Sequence, residues 1–263
     1  EYPVRVQSMT TTNTNDTEAC VKQAEDIIKA GGELVRLTTQ GTREAENLKP
    51  INTQLRADGY TTPLVADVHF NPNVADVAAL YAEKVRINPG NYVDPARKFI
   101  KQEYTDEEYA AELKKIEDRL IPFLNICKAN HTAVRIGVNH GSLSDRIRNR
   151  YGDTPEGIVE SCMEFLRIFK REKFDNVVIS IKASNTIIMV RSVRLLVEAM
   201  DKEGMNYPLH LGVTEAGEGE DGRRPKGSSL LNILIICFRA NCTLLSMSLY
   251  EALKVGFQHP VGL

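Results

Sequence analysis

The stretch Ala133-Val134-Arg135-Ile136-Gly137-Val138-Asn139-His140-Gly141-Ser142 decides how this chain is read. β-Branched and small apolar residues alternate with Arg135, Gly137 and Asn139, and the run then breaks into a Gly/Ser turn. Successive side chains on a strand point to opposite faces, so Arg135 and Asn139 share one face. Six further runs repeat the pattern. Residues 4–9 alternate in the same way. Residues 34–38 pair Arg36 with Thr38, residues 64–69 pair Asp67 with His69, and residues 84–88 pair Arg86 with Asn88. Residues 177–182 pair Ser180 with Lys182, and residues 209–215 pair His210 with Thr214 and set Glu215 at the end of the run.

Helical periodicity fills the intervals. Asn15 with Glu18 three residues on reads as a capping pair, and Ala24, Ile27 and Ile28 form an apolar stripe that Gly31-Gly32 terminates. Helices are expected over 43–57, 74–81, 155–171 and 187–202, with a turn at 88–91. The longest connection, 94–130, holds an amphipathic helix or two behind the charged start at 104–108. Apolar strands alternating with helices imply a parallel sheet covered on its faces. Seven or eight such units predict an α/β fold, a (β/α)8 TIM-type barrel, with the eighth unit irregular or incomplete. The runner-up, an open doubly wound sheet, usually carries a Gly-rich first turn, and none follows Met9.

At 263 residues, strands and helices alternate without a linker, so one large domain is favoured over two. The net charge of −2 provides no global field to recruit nucleic acid. Five cysteines (Cys20, Cys127, Cys162, Cys237, Cys242) form no C-x-x-C and read as reduced thiols of a cytosol-like compartment. No leader is read at the start of the chain, and the longest apolar stretch, 230–238, is far short of the roughly 20 residues a membrane helix needs. Neither nucleic acid nor membrane is an expected partner.

In a barrel the ligand site lies at the carboxyl ends of the strands. Arg36, Arg86, Arg135 and Lys182 are expected there, against Asp67 and Glu215. Burying unpaired charge is costly, so four cations at one mouth call for an anion, most simply a phosphate or diphosphate. Each residue alone has a plainer reading: a strand arginine as a structural ion pair, His69 as a hydrogen-bonded ring, His140 and His210 as structural. Lys182 is compatible with a phosphate contact or with a Schiff-base nucleophile. The acidic loop 216–222 lacks EF-hand spacing.

The segments 35–36, 65–70, 85–91, 135–143, 181–184 and 209–217, in this order, make the chain similar to the amino-terminal barrel of the 4-hydroxy-3-methylbut-2-enyl diphosphate synthase family, in its longer, three-domain branch. The likeness implies an oxidoreductase of non-mevalonate isoprenoid biosynthesis. The family opens the ring of 2-C-methyl-D-erythritol 2,4-cyclodiphosphate reductively, with ferredoxin or flavodoxin as electron donor. It implies that Arg36, His69, Arg86, Arg135 and Lys182 grip the diphosphate, that Asp67, Asn88 and Asn139 orient the substrate or those cations, and that Glu215 is the catalytic acid/base. It also implies a 4Fe–4S cluster held by three cysteines and a glutamate of a carboxy-terminal domain. The residues here offer no ligand set for it, since Cys237 and Cys242 make no recognisable iron–sulfur motif and no metal site is read. The barrel is assigned to 1–223. Residues 224–263 form a divergent tail, the candidate for completing the barrel with an eighth strand at 243–249, and the iron–sulfur domain is expected to be absent, leaving this chain inactive alone. A cytoplasmic setting, or plastid stroma in a plastid-bearing organism, and a homodimer complete the expectations. Two readings from other classes stay open: a Schiff-base aldolase using Lys182, and a non-catalytic phosphate-ligand binding domain.

Overall fold

Eight strands lie parallel in the order β6-β5-β4-β3-β2-β1-β8-β7 in the computed structural model, which describes residues 5–94, 103–212 and 244–246. They are β1 Arg5–Met9, β2 Leu34–Thr39, β3 Leu64–Val68, β4 Lys84–Ile87, β5 Ala133–Asn139, β6 Val177–Lys182, β7 His210–Gly212 and β8 Leu244–Ser246. The two ends of this order meet: Ile179 of β6 bridges Leu209, and Ile179 N donates to Pro208 O at 3.0 Å. β8 pairs with β1 at Arg5–Leu244 and with β7 at His210–Leu244. The strands therefore form a ring, and β8 falls inside the stretch read as the eighth-strand candidate.

The helices are α1 Thr17–Lys29, α2 Thr42–Ala57, α3 Pro72–Ala78, α4 Pro89–Tyr92, α5 Asp106–Asn130, α6 Asp145–Tyr151, α7 Pro155–Arg171 and α8 Thr186–Lys202. Their caps explain where they differ from the expectations. α1 is capped by Asp16, not Asn15: the Asp16 side chain accepts from Ala19 N at 3.0 Å, while Asn15 N donates to Asn13 Oδ1. α3 starts earlier than expected because Asn71 caps it, accepting from Asn73 N at 3.0 Å with Pro72 in the first position. The expected turn at 88–91 is a single helical turn, α4, held by the Asn88 side chain accepting from Gly90 N at 3.2 Å. The described part of the long connection holds one helix, α5, opened by a capping box: Thr105 Oγ1 accepts from Glu108 N, and Glu108 accepts from Thr105 N. α6, with Ser144 as its cap, was not anticipated from sequence.

The apolar core lies between the sheet and the helices. Leu48, Ile51 and Leu55 of α2, Leu120 and Phe123 of α5, and Phe165 and Phe169 of α7 are fully or nearly fully buried there. The inward face of the strands is different. Barrel interiors are usually layered with Val, Ile and Leu. Here the buried positions of β3 to β7 include Asp67, Lys84, Arg86, Arg135, Ser180 and His210.

Candidate functional site

Strand register places charges side by side. Asp67 is the partner of Arg86, and Arg86 of Arg135, so β3, β4 and β5 carry a carboxylate and two guanidiniums at one level. Two levels higher, Asn139 is level with Lys182 at the carboxyl ends of β5 and β6. Arg36 and Arg135 are thus mid-strand residues, not strand-end residues as the sequence implied, while Arg86 lies one residue from the end of β4. Their length is what carries charge from the barrel interior toward its mouth.

Asp67 is the hub. Its Oδ2 accepts from Arg36 Nη2 and lies 3.2 Å from His69 Nε2, and its Oδ1 accepts from Arg86 Nη1 at 3.3 Å. Arg86 Nη1 also lies 3.4 Å from His69 Nδ1. The same nitrogen is 3.5 Å from His69 Nε2, so Arg86 faces the edge of the ring between its two nitrogens. Burial raises the Asp67 pKa, but the His69 hydrogen bond and the charges of Arg36, Arg86 and Arg135 outweigh it and hold the carboxyl well below the usual range. Arg86 Nη2 donates to Gly137 O at 2.9 Å, and a Cβ at position 137 would land on Arg86 Nε.

Among the described residues one carboxylate, Asp67, does not balance this set. Arg135 is 1% exposed, and its Nε and Nη1 have no partner among the described residues; Arg36 Nε and Arg86 Nε are equally orphaned. Burial, then the neighbouring Arg36 and Arg86 charges, lower the Arg135 pKa. Burial and the charges of Arg135, Arg36 and Arg86 depress Lys182 to about 7. Unsatisfied buried donors of this kind mark a place built for an anion.

Above them lies a cavity of about 370 Å³ lined by Asn139, His140, Gly141, Ser142, Lys182, Ala183 and Ser184. Its wall is braced: Asn88 Nδ2 donates to Ser142 Oγ at 2.8 Å, and a Cβ at Gly90 would strike the Ser142 carbonyl. Asn88 thus caps α4 and ties β4 to the turn after β5. Arg36, Asp67, His69, Arg86 and Arg135 come together in the interior, and Asn139 and Lys182 at the mouth. Glu215, Thr214, Cys237 and Cys242 lie outside the described residues.

Sequence reasoning gave no ligand role to four inner residues, Gln7, Lys84, Ser180 and His210. Lys84 shares a strand face with Arg86, and Ser180 was paired with Lys182, so period-2 alternation placed both on the candidate face. His210 was read as structural, yet both its ring nitrogens and Ser180 Oγ lack partners among the described residues. Burial and four surrounding cations hold His210 neutral. No group of three or more His, Cys, Asp or Glu among the described residues fits a metal. Cys20, Cys127 and Cys162 are free thiols buried in three different helices, and burial pushes Cys127 up to about 12, so these residues do not suit an iron–sulfur cluster.

A family model described as the GcpE TIM-barrel domain matches residues 1–236. The chain belongs to this family. The GcpE barrel is 77% identical over 221 residues to the 4-hydroxy-3-methylbut-2-en-1-yl diphosphate synthase (flavodoxin) of Phocaeicola vulgatus, a match covering 84% of this chain and 36% of that protein. The enzyme of the same name from Bacteroides fragilis is 76% identical over 221 residues (84% and 35%), and that from Akkermansia muciniphila 53% over 223 residues (84% and 38%). The chain thus spans little more than a third of the length of these curated relatives. Among solved structures, dihydropteroate synthases of Stenotrophomonas maltophilia (TM-score 0.57, 16% identity, 96% of this chain and 91% of that one) and Yersinia pestis (0.55, 13%, 97% and 92%) share the fold. No helix among the described residues of the GcpE barrel is long and apolar enough to cross a membrane.

Proposed function

We propose that this chain is the substrate-binding barrel of a flavodoxin-dependent 4-hydroxy-3-methylbut-2-en-1-yl diphosphate synthase, an oxidoreductase of isoprenoid biosynthesis. Its ligand is 2-C-methyl-D-erythritol 2,4-cyclodiphosphate. The observation that carries this reading is the cluster of Arg36, Arg86, Arg135 and Lys182 around a single carboxylate, Asp67, with orphaned guanidinium nitrogens inside the barrel. The names of the relatives supply a diphosphate product.

On this reading Arg86 and Arg135 bind the diphosphate, Arg36 and His69 hold Asp67 in place, and Lys182 with Asn139 closes the upper contact. Asp67 fixes the guanidiniums in the geometry a diphosphate needs, and the barrel walls exclude water and strengthen each contact. Glu215 is the proposed proton-transfer group. Reduction of the cyclic diphosphate consumes two electrons and releases water, which no side chain of this set supplies. A 4Fe–4S cluster and flavodoxin or ferredoxin belong to this proposal as electron carriers held outside the described residues. So do a barrel of residues 1–223 completed by the tail 224–263, a homodimer and a cytoplasmic setting.

The test is calorimetric titration of the chain with the cyclic diphosphate. Saturable binding that is lost in Arg135→Ala supports the reading, and no binding at millimolar ligand overturns it. In a cluster-bearing form of the enzyme, Glu215→Gln is expected to lower turnover far more than affinity. One observation favours a second reading: an amine depressed to about 7 at Lys182 suits Schiff-base chemistry. Borohydride trapping of a carbonyl substrate on Lys182 would favour that alternative.

A further inference from the structure

Phe70 is an anomaly that the site does not explain. It follows His69 in the turn from β3 to α3, and its φ of 61° lies in the left-handed region. The turn is locked on both sides. His69 is tied to Asp67 and Arg86, and Asn71 caps α3. One residue between them takes the left-handed conformation, and glycine is the ordinary choice there. A bulky residue in that conformation is strained, and such strain collects at ligand sites. The Phe70 side chain recovers little by burial, because it is 69% exposed. Its ring centroid lies 5.8 Å from that of His69, which puts the ring on the rim beside the cationic cluster.

Strain that little burial compensates, on the rim of the cationic cluster, points to a contact with a ligand. A diphosphate seated on Arg86 and Arg135 leaves the carbon skeleton of its ligand facing the rim. We propose that Phe70 is a ligand-contacting residue whose ring covers the carbon skeleton of the phosphorylated ligand. It separates organic diphosphates from inorganic diphosphate, which the cations alone would bind. This rests on the reading of the interior as the diphosphate site.

The experiment titrates wild type, Phe70→Gly and Phe70→Tyr with two ligands, 2-C-methyl-D-erythritol 2,4-cyclodiphosphate and inorganic diphosphate. Glycine suits the backbone, so Phe70→Gly is expected to melt at or above the wild-type temperature, and any lost affinity is then not unfolding. The expected result is a loss of about tenfold for the cyclic diphosphate, the scale of one or two buried methyl or methylene groups, with inorganic diphosphate unchanged. Phe70→Tyr should stay within about twofold of wild type for both. Equal loss of both ligands would mean that Phe70 only positions His69, and overturns the proposal. Wild-type affinity for both in Phe70→Gly also overturns it, as does that result combined with lower turnover of the cluster-bearing enzyme, which would place the ring against protein. If neither ligand binds wild type, the reading of the interior fails first and this inference with it.

Discussion

Gly137 exists to let Arg86 through. Arg86 Nη2 donates to the Gly137 carbonyl at 2.9 Å, and a β-carbon at 137 would occupy the place of Arg86 Nε. Gly137 has no left-handed backbone, so substitution acts on space alone. Gly137→Ala is expected to destabilise the fold by about 1–3 kcal/mol, as overpacking does, and to weaken diphosphate binding at least tenfold by displacing the guanidinium. Urea denaturation and calorimetry measure the two effects, and unchanged affinity would show that Arg86 is not a ligand contact.

Arg86 and Arg135 should part company in stability. Arg86 is paired with Asp67, so Arg86→Ala leaves a buried carboxylate short of a partner and should cost several kcal/mol of stability. Arg135 has nitrogens without a partner among the described residues and like-charged neighbours, so Arg135→Met should raise the melting temperature of the chain without ligand. Both variants should lose about 1.5–3 kcal/mol of binding, some ten- to a hundredfold. Thermal melts with and without diphosphate read both quantities, and a destabilised Arg135→Met would mean that this guanidinium is compensated in the empty chain.

Lys182 makes the site pH-dependent. Burial and the arginine charges lower it from its ordinary 10.5 to about 7. A lysine depressed on folding binds fewer protons folded than unfolded between these values. Its penalty on stability is therefore full below about pH 7 and is relieved as pH rises toward 10.5. The empty chain should gain stability over that window, less so in Lys182→Met. A bound anion restores the ammonium, so binding at pH 8 should take up protons, seen as a dependence of binding heat on buffer ionisation enthalpy. Equal dependence in wild type and Lys182→Met would remove Lys182 from this role.

Arg146 holds the wall behind the mouth. It donates to Glu164 at 2.8 Å through each of Nη1 and Nη2 and to Asp94 at 3.2 Å, while the Tyr109 hydroxyl donates to Glu164. All four residues are buried, joining α5, α6, α7 and the segment after α4. Arg146→Met strands two buried carboxylates and should cost about 3–5 kcal/mol. Adding Glu164→Gln should recover part of that loss, a coupling that a double-mutant cycle in urea measures; strict additivity would show that the pair does not interact.

The elements themselves were legible in the chain. Period-2 alternation marked seven strands, and apolar stripes with their caps marked most helices, because side-chain periodicity is a local property of backbone geometry. Helix α6 escaped, since its seven residues hold three Arg and only Ile147 and Tyr151 as apolar positions, and the cap of α1 shifted by one residue because Asp16 and Asn15 are equally good acceptors in sequence.

The site was legible only in composition. The chain by itself determined which residues share a face within one strand, Arg135 with Asn139 and Arg86 with Asn88, because parity along a strand needs no partner. Register between strands, a matter of long-range hydrogen bonding, decided that Asp67, Arg86 and Arg135 stand at one level. It also decided that Arg36 and Arg135 rise from mid-strand, that Asn88 braces a wall and that Gly137 clears a path. Nothing local in 64–69 and 133–139 encodes that adjacency. It arises when the sheet curls on itself and brings separate segments into one interior, where low dielectric turns a surplus of cations into demand for an anion.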